Sequence, residues 1–358
     1  MTIKDVAEYS GVSVSSVSRV LNDHPDVSEN VRKRVLEAVS TLHYVPNNSA
    51  RDLSRTKTDA IGLIVRGAGN PFFTPIIRSI EKCILDAGYT MEILQIAAGD
   101  DELAAGASLA MAKRLKGIVF LGGNFDYAPE KTEVLRIPFV CCTYTNSFGT
   151  LDKKAFSSVS IDDEAEAFRA VKYLTDRGHR KIAILLDSTH DGSISELRFR
   201  GYCRALKEAG IPQDETLVEE IDYYDMEAAS RGIRELLSRR NDITAVFTIA
   251  DTMGIAAIKT LHDAGRRVPE DCSVISIDGL DISRYTIPTL TTLEQPKEEL
   301  AEQAVSLLVR AIEGRGETKH VYLHAEMREG GSVGEYPVED NNEKEHNKQH
   351  NAMYEKEE

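Results

Sequence analysis

Apolar residues in the first part of the chain recur on a helical period. Ile3, Val6 and Ala7 form one stripe, and Val14, Val17, Val20 and Leu21 form a second. Val31, Val35, Leu36, Val39 and Leu42 form a third. Steps of three and four keep such residues on one helix face. The middle stretch, "VSVSSVSRVLN" at residues 12–22, is ambiguous because valine and serine alternate at its start, as they do in a strand. The alternation slips after four residues, since Val12 and Val14 then share a face with Ser16 and Ser18. A helix is therefore predicted, with Ser13 as its N-cap and Asn22-Asp23 followed by Pro25 as its stop. Serine and β-branched residues cost only tenths of a kcal/mol each in a helix. A helix of about ten residues cannot stand alone, so it must pack on its neighbours. Thr2 caps the first helix, and Gly11 supplies the turn between the first and the second. Three short helices joined in this way read as a helix-turn-helix. The face left outward on the second helix carries Ser15, Ser18, Arg19 and Asn22.

After Pro46 the pattern changes. "PNNSARDLSRTKTD" is polar, with room for one or two helical turns at 48–54, and reads as a linker. Short apolar runs follow: "AIGLIV", "YTMEILQIA", "GIVFLG" and "PFVCCT", separated by helical segments such as 75–87 and 102–115. A second series repeats the alternation with "KIAILLD", "TLVEEI", "ITAVFTI" and "CSVISID". The strand-like "LTTLEQP", a helix at 298–313 and the strand-like "HVYLHAEM" complete it. Repeated β-α alternation predicts an α/β protein with two doubly wound parallel-sheet subdomains, preceded by a small all-α head. The predicted domains are a head at 1–46, a hinge at 47–58 and a core at 59–336. Within the core, subdomain one takes about 59–160 plus 292–320, and subdomain two takes about 161–291 plus 321–336. Residues 337–358 are polar and acidic without leucine heptads, and are expected to form a disordered tail.

Charge and chemistry narrow the picture. The net charge is −15 over 358 residues, which by itself argues against a nucleic-acid partner. Residues 1–60, however, balance eight Lys and Arg against eight Asp and Glu. DNA contact is thus expected to be confined to the head and to be salt-dependent. No apolar run approaches the length of a membrane span. The amino terminus shows no apolar signal region, so a cytoplasmic location is expected. The five cysteines lack C-x-x-C spacing and read as buried thiols in a reducing compartment. There is no phosphate-loop motif, no G-x-G-x-x-G after a strand, no G-x-S-x-G and no histidine pair at metal spacing. No catalytic residue, cofactor or metal is expected, and His179 reads as structural. The groups that suit a ligand stand where apolar strands end: Asn70 before Phe72-Phe73, then Asp162, Asp251 and Asp278, with Arg198 opening a helix. Each aspartate could simply cap a helix. Together they lie where α/β sheets place ligands, and they suit a polyhydroxylated or anionic small molecule.

The stretches "TIKDVAEYSGVSVSSVSRVLN", "YVPNNSARDLSRTKTDAIGLIV", "NPFF", "RFRGY" and "PTLTTLEQP" occur in this order. In this, the chain resembles the lactose/galactose repressor family of bacterial transcription regulators from Thr2 to about Val333. The resemblance implies that the second helix reads DNA. Val14 and Ser15 would read bases, and Arg19 would meet guanine in the major groove. Ser16, Ser18, Asn22, Thr2, Lys4 and Asn47 would contact phosphates or base edges, and Leu53 would wedge into the minor groove. It further implies effector contacts at Asn70, Phe72, Asp162, Arg198, Asp251 and Asp278. Two positions depart from the family pattern: Ala250 stands where members often carry asparagine, and Gly279 where they carry a second acid. The resulting expectation is a homodimeric, effector-gated repressor of carbohydrate-use genes that binds operator DNA and a sugar or sugar derivative. A solute-binding protein of a sugar transporter is the alternative, and the helix-turn-helix argues against it. An α/β enzyme acting on sugars is opposed by the missing phosphate loop. The residues name neither the effector nor any protein corepressor.

Overall fold

The head forms three helices in the predicted places: α1 (Ile3–Ser10), α2 (Val14–Leu21) and α3 (Glu29–Thr41). Gly11 ends α1 in the left-handed region at φ 63°, which glycine adopts without steric cost. The Arg34 guanidinium, from α3, donates to the carbonyls of Ser10 and Gly11 and holds the turn. Ser13 caps α2, its Oγ accepting from the Ser16 N–H at 3.1 Å. Val6, Ala7, Val17, Val20, Val35 and Ala38 form the shared core. Leu36, expected inside, is 52% exposed. The stripe of α3 follows Val35 and Ala38, which places Leu36 about 100° away on the solvent side.

The structure is a computed structural model that describes residues 1–21, 24, 26–44, 60–67, 69–221 and 225–337. Asn22, Asn47, Leu53, the hinge at 47–58 and the tail beyond Pro337 lie outside the described residues. The chain divides into two compact units between Thr58 and Asp59.

The second unit holds two six-stranded sheets. The first contains β1 (Ala60–Arg66), β2 (Thr90–Ile96), β3 (Gly117–Leu121), β4 (Phe139–Cys142), β5 (Ser157–Ile161) and β11 (His320–Leu323), in the order β11-β5-β4-β3-β1-β2. All its pairings are parallel. Helices α4 (Phe73–Asp86), α5 (Glu102–Lys113) and the short α6 (Pro129–Thr132) connect its strands. The second sheet contains β6 (Ile182–Leu186), β7 (Val218–Glu220), β8 (Ala245–Thr248), β9 (Ser273–Asp278), β10 (Thr291–Glu294) and β12 (Glu326–Arg328), in the order β12-β10-β9-β8-β6-β7. Only β12 runs antiparallel there. Its helices are α7 (Asp163–Thr175), α8 (Ile194–Glu208), α9 (Met226–Arg239) and α10 (Asp251–Asp263). Helix α11 (Lys297–Ile312) packs back on α4 and on β3, β4 and β5.

The chain therefore crosses between lobes after Ile161, between Glu294 and Lys297, and after Leu323, slightly later than expected in each case. Strand β10 pairs with β9, which keeps residues 291–294 in the second lobe. "HVYLHAEM" is two strands: Val321 pairs with Val159 in the first sheet, and Met327 pairs with Leu293 in the second. In both sheets the strand order reverses beside the first strand of the lobe, between β1 and β3 and between β6 and β8. Crevices for ligands open at such reversals.

Candidate ligand and nucleic-acid sites

The charged site in the second lobe is built by a close helix crossing. Helix α8 buries Ser195, Arg198, Gly201 and Tyr202 along one stripe. At Gly201 the backbone of α7 comes so near that an added Cβ would lie 2.3 Å from the Glu164 carbonyl. The missing side chain lets the two helices touch, and Arg198 is thereby brought to the first turn of α7. Its Nε and Nη2 donate to Asp163 Oδ1 at 3.0 and 2.9 Å. Its Nη1 donates to the Ile249 carbonyl beyond β8 and lies 3.9 Å from Asp278 Oδ1 at the end of β9. Arg198 is only 2% exposed, so a full positive charge is held inside the protein by these acceptors. Burial pushes the Asp163 carboxyl up to about 6, against the pull of Arg198. Asp278 is raised for the same reason, opposed by Arg198 and reinforced by the nearby charge of Asp251.

Asp278 sits at φ 139°, a strained conformation for a residue with a side chain. Three contacts hold it there. Gln295 Nε2 donates to its Oδ1 at 2.9 Å, and Lys297 Nζ donates to the carbonyls of Asp278 and Gly279 at 3.1 and 2.8 Å. Gly279 follows at φ 71°, with the Glu294 backbone 2.6 Å from where its Cβ would stand. A second acid at this position would collide with β10, which explains the departure at 279. Asp251 is fully buried. Its carboxylate accepts from Thr292 Oγ1 at 2.6 Å and from the Leu280 N–H at 2.7 Å. It therefore anchors the turn that carries Asp278.

Other expected contacts are placed differently. Asp162 is exposed and caps α7, its Oδ1 accepting from the Ala165 N–H at 3.0 Å. A cap side chain folds back over the first turn, whereas the next residue points inward. Asp163, missed in the sequence, is thus the acid that meets Arg198. Two successive acids opening a helix were the available signal. Asn70 Oδ1 accepts from the Phe72 N–H at 3.0 Å and shapes the entry to α4. Phe72 is buried in the first lobe's apolar cluster, which also takes in Leu280. Neither residue makes a described bond to the Arg198 cluster. The first lobe has a polar cluster of its own that the sequence did not suggest. Glu102 Oε1 accepts from the Asn124 N–H and from the Tyr127 hydroxyl, each at 2.8 Å, and the Tyr127 and Tyr144 hydroxyls are 2.6 Å apart.

His179 is buried between Thr244 Oγ1 and the Gly334 carbonyl, at 3.1 and 3.2 Å, in a structural position. Cys141, Cys142 and Cys272 are buried free thiols, while Cys83 and Cys203 are partly buried. Burial pushes Cys142 and Cys272 up to about 12. Among the described residues, no group of three or more His, Cys, Asp or Glu could hold a metal. None of the described helices is long and apolar enough to cross a membrane.

In the head, the outer face of α2 is exposed at Ser15 and Arg19. Val14, part of the expected stripe, is 41% exposed, and the core contacts fall to Val17 and Val20. Ser13 Oγ lies 2.7 Å from Ser15 Oγ and 2.9 Å from Ser16 Oγ. Thr2 and Lys4 stand exposed at the start of α1.

A helix-turn-helix that exposes Ser15 and Arg19, together with a two-lobed α/β core holding a buried charged cluster at its strand ends, defines a ligand-responsive DNA-binding regulator. Comparison with known proteins agrees. Residues 2–47 match the family described as bacterial regulatory proteins, lacI family, and residues 171–333 match a periplasmic binding protein-like domain. The HTH-type transcriptional regulator MalR of Clostridium butyricum is 41% identical over 337 residues, covering 93% of this chain and 99% of that protein. The HTH-type transcriptional repressor PurR of Yersinia pestis (strain Pestoides F) is 33% identical over 347 residues, covering 95% and 98%. Among solved structures, a transcriptional regulator CelR–cellobiose complex is 29% identical with a TM-score of 0.69, covering 93% of this chain and 99% of that one. The lac repressor dimer bound to operator and the anti-inducer ONPF shares the fold, with a TM-score of 0.73 at 23% identity over 93% and 99% of the two chains. The chain belongs to the LacI family and is a DNA-binding transcriptional regulator.

Proposed function

We propose that this protein is a cytoplasmic, homodimeric repressor of carbohydrate-use genes, released from or driven onto its operator by a sugar or sugar derivative. The observation that carries this reading is the Asp163–Arg198–Asp278 cluster, a buried cation between two acids at the carboxyl ends of β6, β8 and β9. Carboxylates and a guanidinium held in one geometry suit the paired hydroxyls of a sugar. The relationship to the CelR–cellobiose complex supports the same ligand class. Arg198 and Asp278 are the proposed direct contacts. Asp163 and Asp251 hold them in place, and Asn70, Phe72 and Asp162 are proposed as further contacts. Operator contacts are assigned to Thr2, Lys4, Val14, Ser15, Ser16, Ser18 and Arg19, with Asn22, Asn47 and Leu53 completing the set.

The dimer is assigned to the second unit. Ile282, Tyr285 and Ile287 are 57%, 84% and 95% exposed, an unusual display for large apolar side chains. The segment that bears them is tied down by Arg328, which donates to the Leu280 carbonyl and to Ser283 Oγ. A rigid apolar edge of this kind suits a second copy of the chain.

The test is a thermal-shift screen of the full chain against mono- and disaccharides, including cellobiose, with purines as the competing class. A ligand that binds only the folded state raises its apparent stability. A sugar that raises the melting temperature in wild type but not in Asp278→Asn supports the reading. A response to purines alone would replace the sugar assignment.

A further inference from the structure

The polar cluster of the first lobe contains a charged pair that the fold leaves incompletely satisfied. Arg66 is the last residue of β1, on the sheet face that carries Ala60 and Ile64. Glu102 opens α5, whose Leu103 packs on that same face. Glu102 is buried, and both of its hydrogen bonds, from the Asn124 N–H and the Tyr127 hydroxyl, fall on Oε1. Oε2 lies 3.7 Å from Arg66 Nε, too far for a hydrogen bond. That Nε is itself buried without a hydrogen-bond partner among the described residues. The Arg66 side chain is 22% exposed, and its guanidinium has no other polar contact among the described residues. A buried donor and a buried acceptor left unmet side by side are costly. A group that accepts from one and donates to the other would remove that cost.

The position suits a ligand. Arg66 ends β1 and Asn124 follows β3, so the pair stands where the strand order of the first sheet reverses. Ile194 and Leu197, in the first turn of α8, pack on the apolar cluster that holds Ile64, Leu103, Tyr127 and Tyr144. Arg198 is the next residue, so the two polar clusters adjoin one contact between the lobes.

We propose that Arg66 and Glu102 form the first-lobe half of the effector site and select a neutral sugar over an acidic one. The inference rests on the reading of the Arg198 cluster as a sugar site. A sugar hydroxyl both donates and accepts. It can accept from the Arg66 guanidinium and donate to Glu102 Oε2, bridging the pair. A carboxylate cannot donate, and a phosphate brings negative charge beside Glu102, which offsets what Arg66 offers.

The test is calorimetry of the full chain with glucose, its α- and β-linked disaccharides maltose and cellobiose, and the 6-phosphate form of each, the phosphate of a disaccharide being on its non-reducing unit. Wild type should bind at least one neutral sugar, and bind its phosphate about tenfold more weakly or worse. Arg66→Met should weaken the neutral sugar about ten- to a hundredfold, the worth of a hydrogen bond to a charged group. Glu102→Gln keeps an oxygen for Asn124 and Tyr127, which preserves the fold. It should lower the preference for the neutral form over the phosphate by about tenfold or more. A purely structural role for the pair would lower the melting temperature and leave that preference unchanged. A wild type that prefers a phosphate, an unchanged preference in Glu102→Gln, or unweakened binding in Arg66→Met would overturn the proposal. Asp278→Asn reports on the underlying reading. If none of these sugars binds wild type, or if binding survives Asp278→Asn, the sugar site itself falls, and this inference falls with it.

Discussion

Replacing Arg198 by methionine tests the electrostatics of the buried cluster without leaving a large void. The change strands Asp163 and Asp278 and frees the Ile249 carbonyl. Breaking a buried ion pair from one side costs about 3–5 kcal/mol when the other charge remains. Asp163 has an escape, because it can take up a proton. With Arg198 present its carboxyl already titrates at about 6. Holding it neutral at pH 7 would then cost about 1.4 kcal/mol, the value of one pH unit. Without the guanidinium its affinity for the proton rises further, so the loss should settle near the lower figure, about 3 kcal/mol at pH 7. The pH dependence follows from the raised folded-state value. In wild type, this group lends stability at low pH that is lost as pH rises through about 6, and above that its contribution is flat. In Arg198→Met the folded-state value lies higher, so the loss continues above pH 6, at up to about 1.4 kcal/mol per pH unit. The gap between variant and wild type should therefore widen from pH 6 to pH 8. Adding Asp163→Asn removes one of the two raised acids, Asp278 being the other, and should return about 1–3 kcal/mol at pH 8. Urea unfolding of the full chain at both pH values measures all three proteins. A gap that does not change with pH, or a double variant no more stable than Arg198→Met, would mean that Arg198 does not offset the buried charge of Asp163.

Other outcomes follow from particular contacts. Gly201→Ala places a methyl against the Glu164 carbonyl and should cost about 1–3 kcal/mol, read as a lower melting temperature, because a backbone atom cannot step aside. Asp251→Ala leaves the Leu280 N–H and the Thr292 hydroxyl buried without their acceptor and should cost about 2–3 kcal/mol. Since Leu280 leads into the exposed 281–287 segment, sedimentation should also show weaker self-association. Leu36→Gln, on the solvent side of α3, should shift stability by less than about 0.5 kcal/mol, and a larger loss would mean that Leu36 is covered in solution.

Periodicity carried the sequence reading a long way, and its misses have specific causes. The helix over "VSVSSVSRVLN" was legible because apolar spacing outweighs alternation once the window exceeds four residues. The strands were legible as short apolar runs, because parallel sheets bury both faces. Leu36 was misplaced because Val35 and Leu36 are adjacent and only one can face the core. The exchange between lobes at "HVYLHAEM" was illegible because strand pairing depends on partners far away in sequence. Asp162 and Asp163 could not be told apart by residue type, since only backbone direction at the helix start decides which one caps and which one turns inward. Asp278 could be picked out as a strand-end polar group, and Arg198 as a basic residue near the start of a helix, although that helix begins at Ile194. Gln295 and Lys297, which hold Asp278 in its strained turn, act across the crossing between lobes and left no local signal.

A ligand-gated repressor requires that the core and the head exchange free energy through a ligand. An effector can move the DNA equilibrium only if it binds one arrangement of the protein better than the other, and the coupling must be reciprocal. The decisive measurement uses a duplex enriched from a random-sequence library by the wild-type protein. The affinity of the full chain for it is measured with and without the sugar that raises the protein's melting temperature, at one fixed salt concentration. The same sugar's affinity is then measured with and without the duplex. The two ratios should agree, each affinity changing by about five- to 150-fold, and Asp278→Asn should abolish both changes while still binding the duplex. A sugar that stabilises the protein yet leaves operator affinity unchanged would contradict ligand gating.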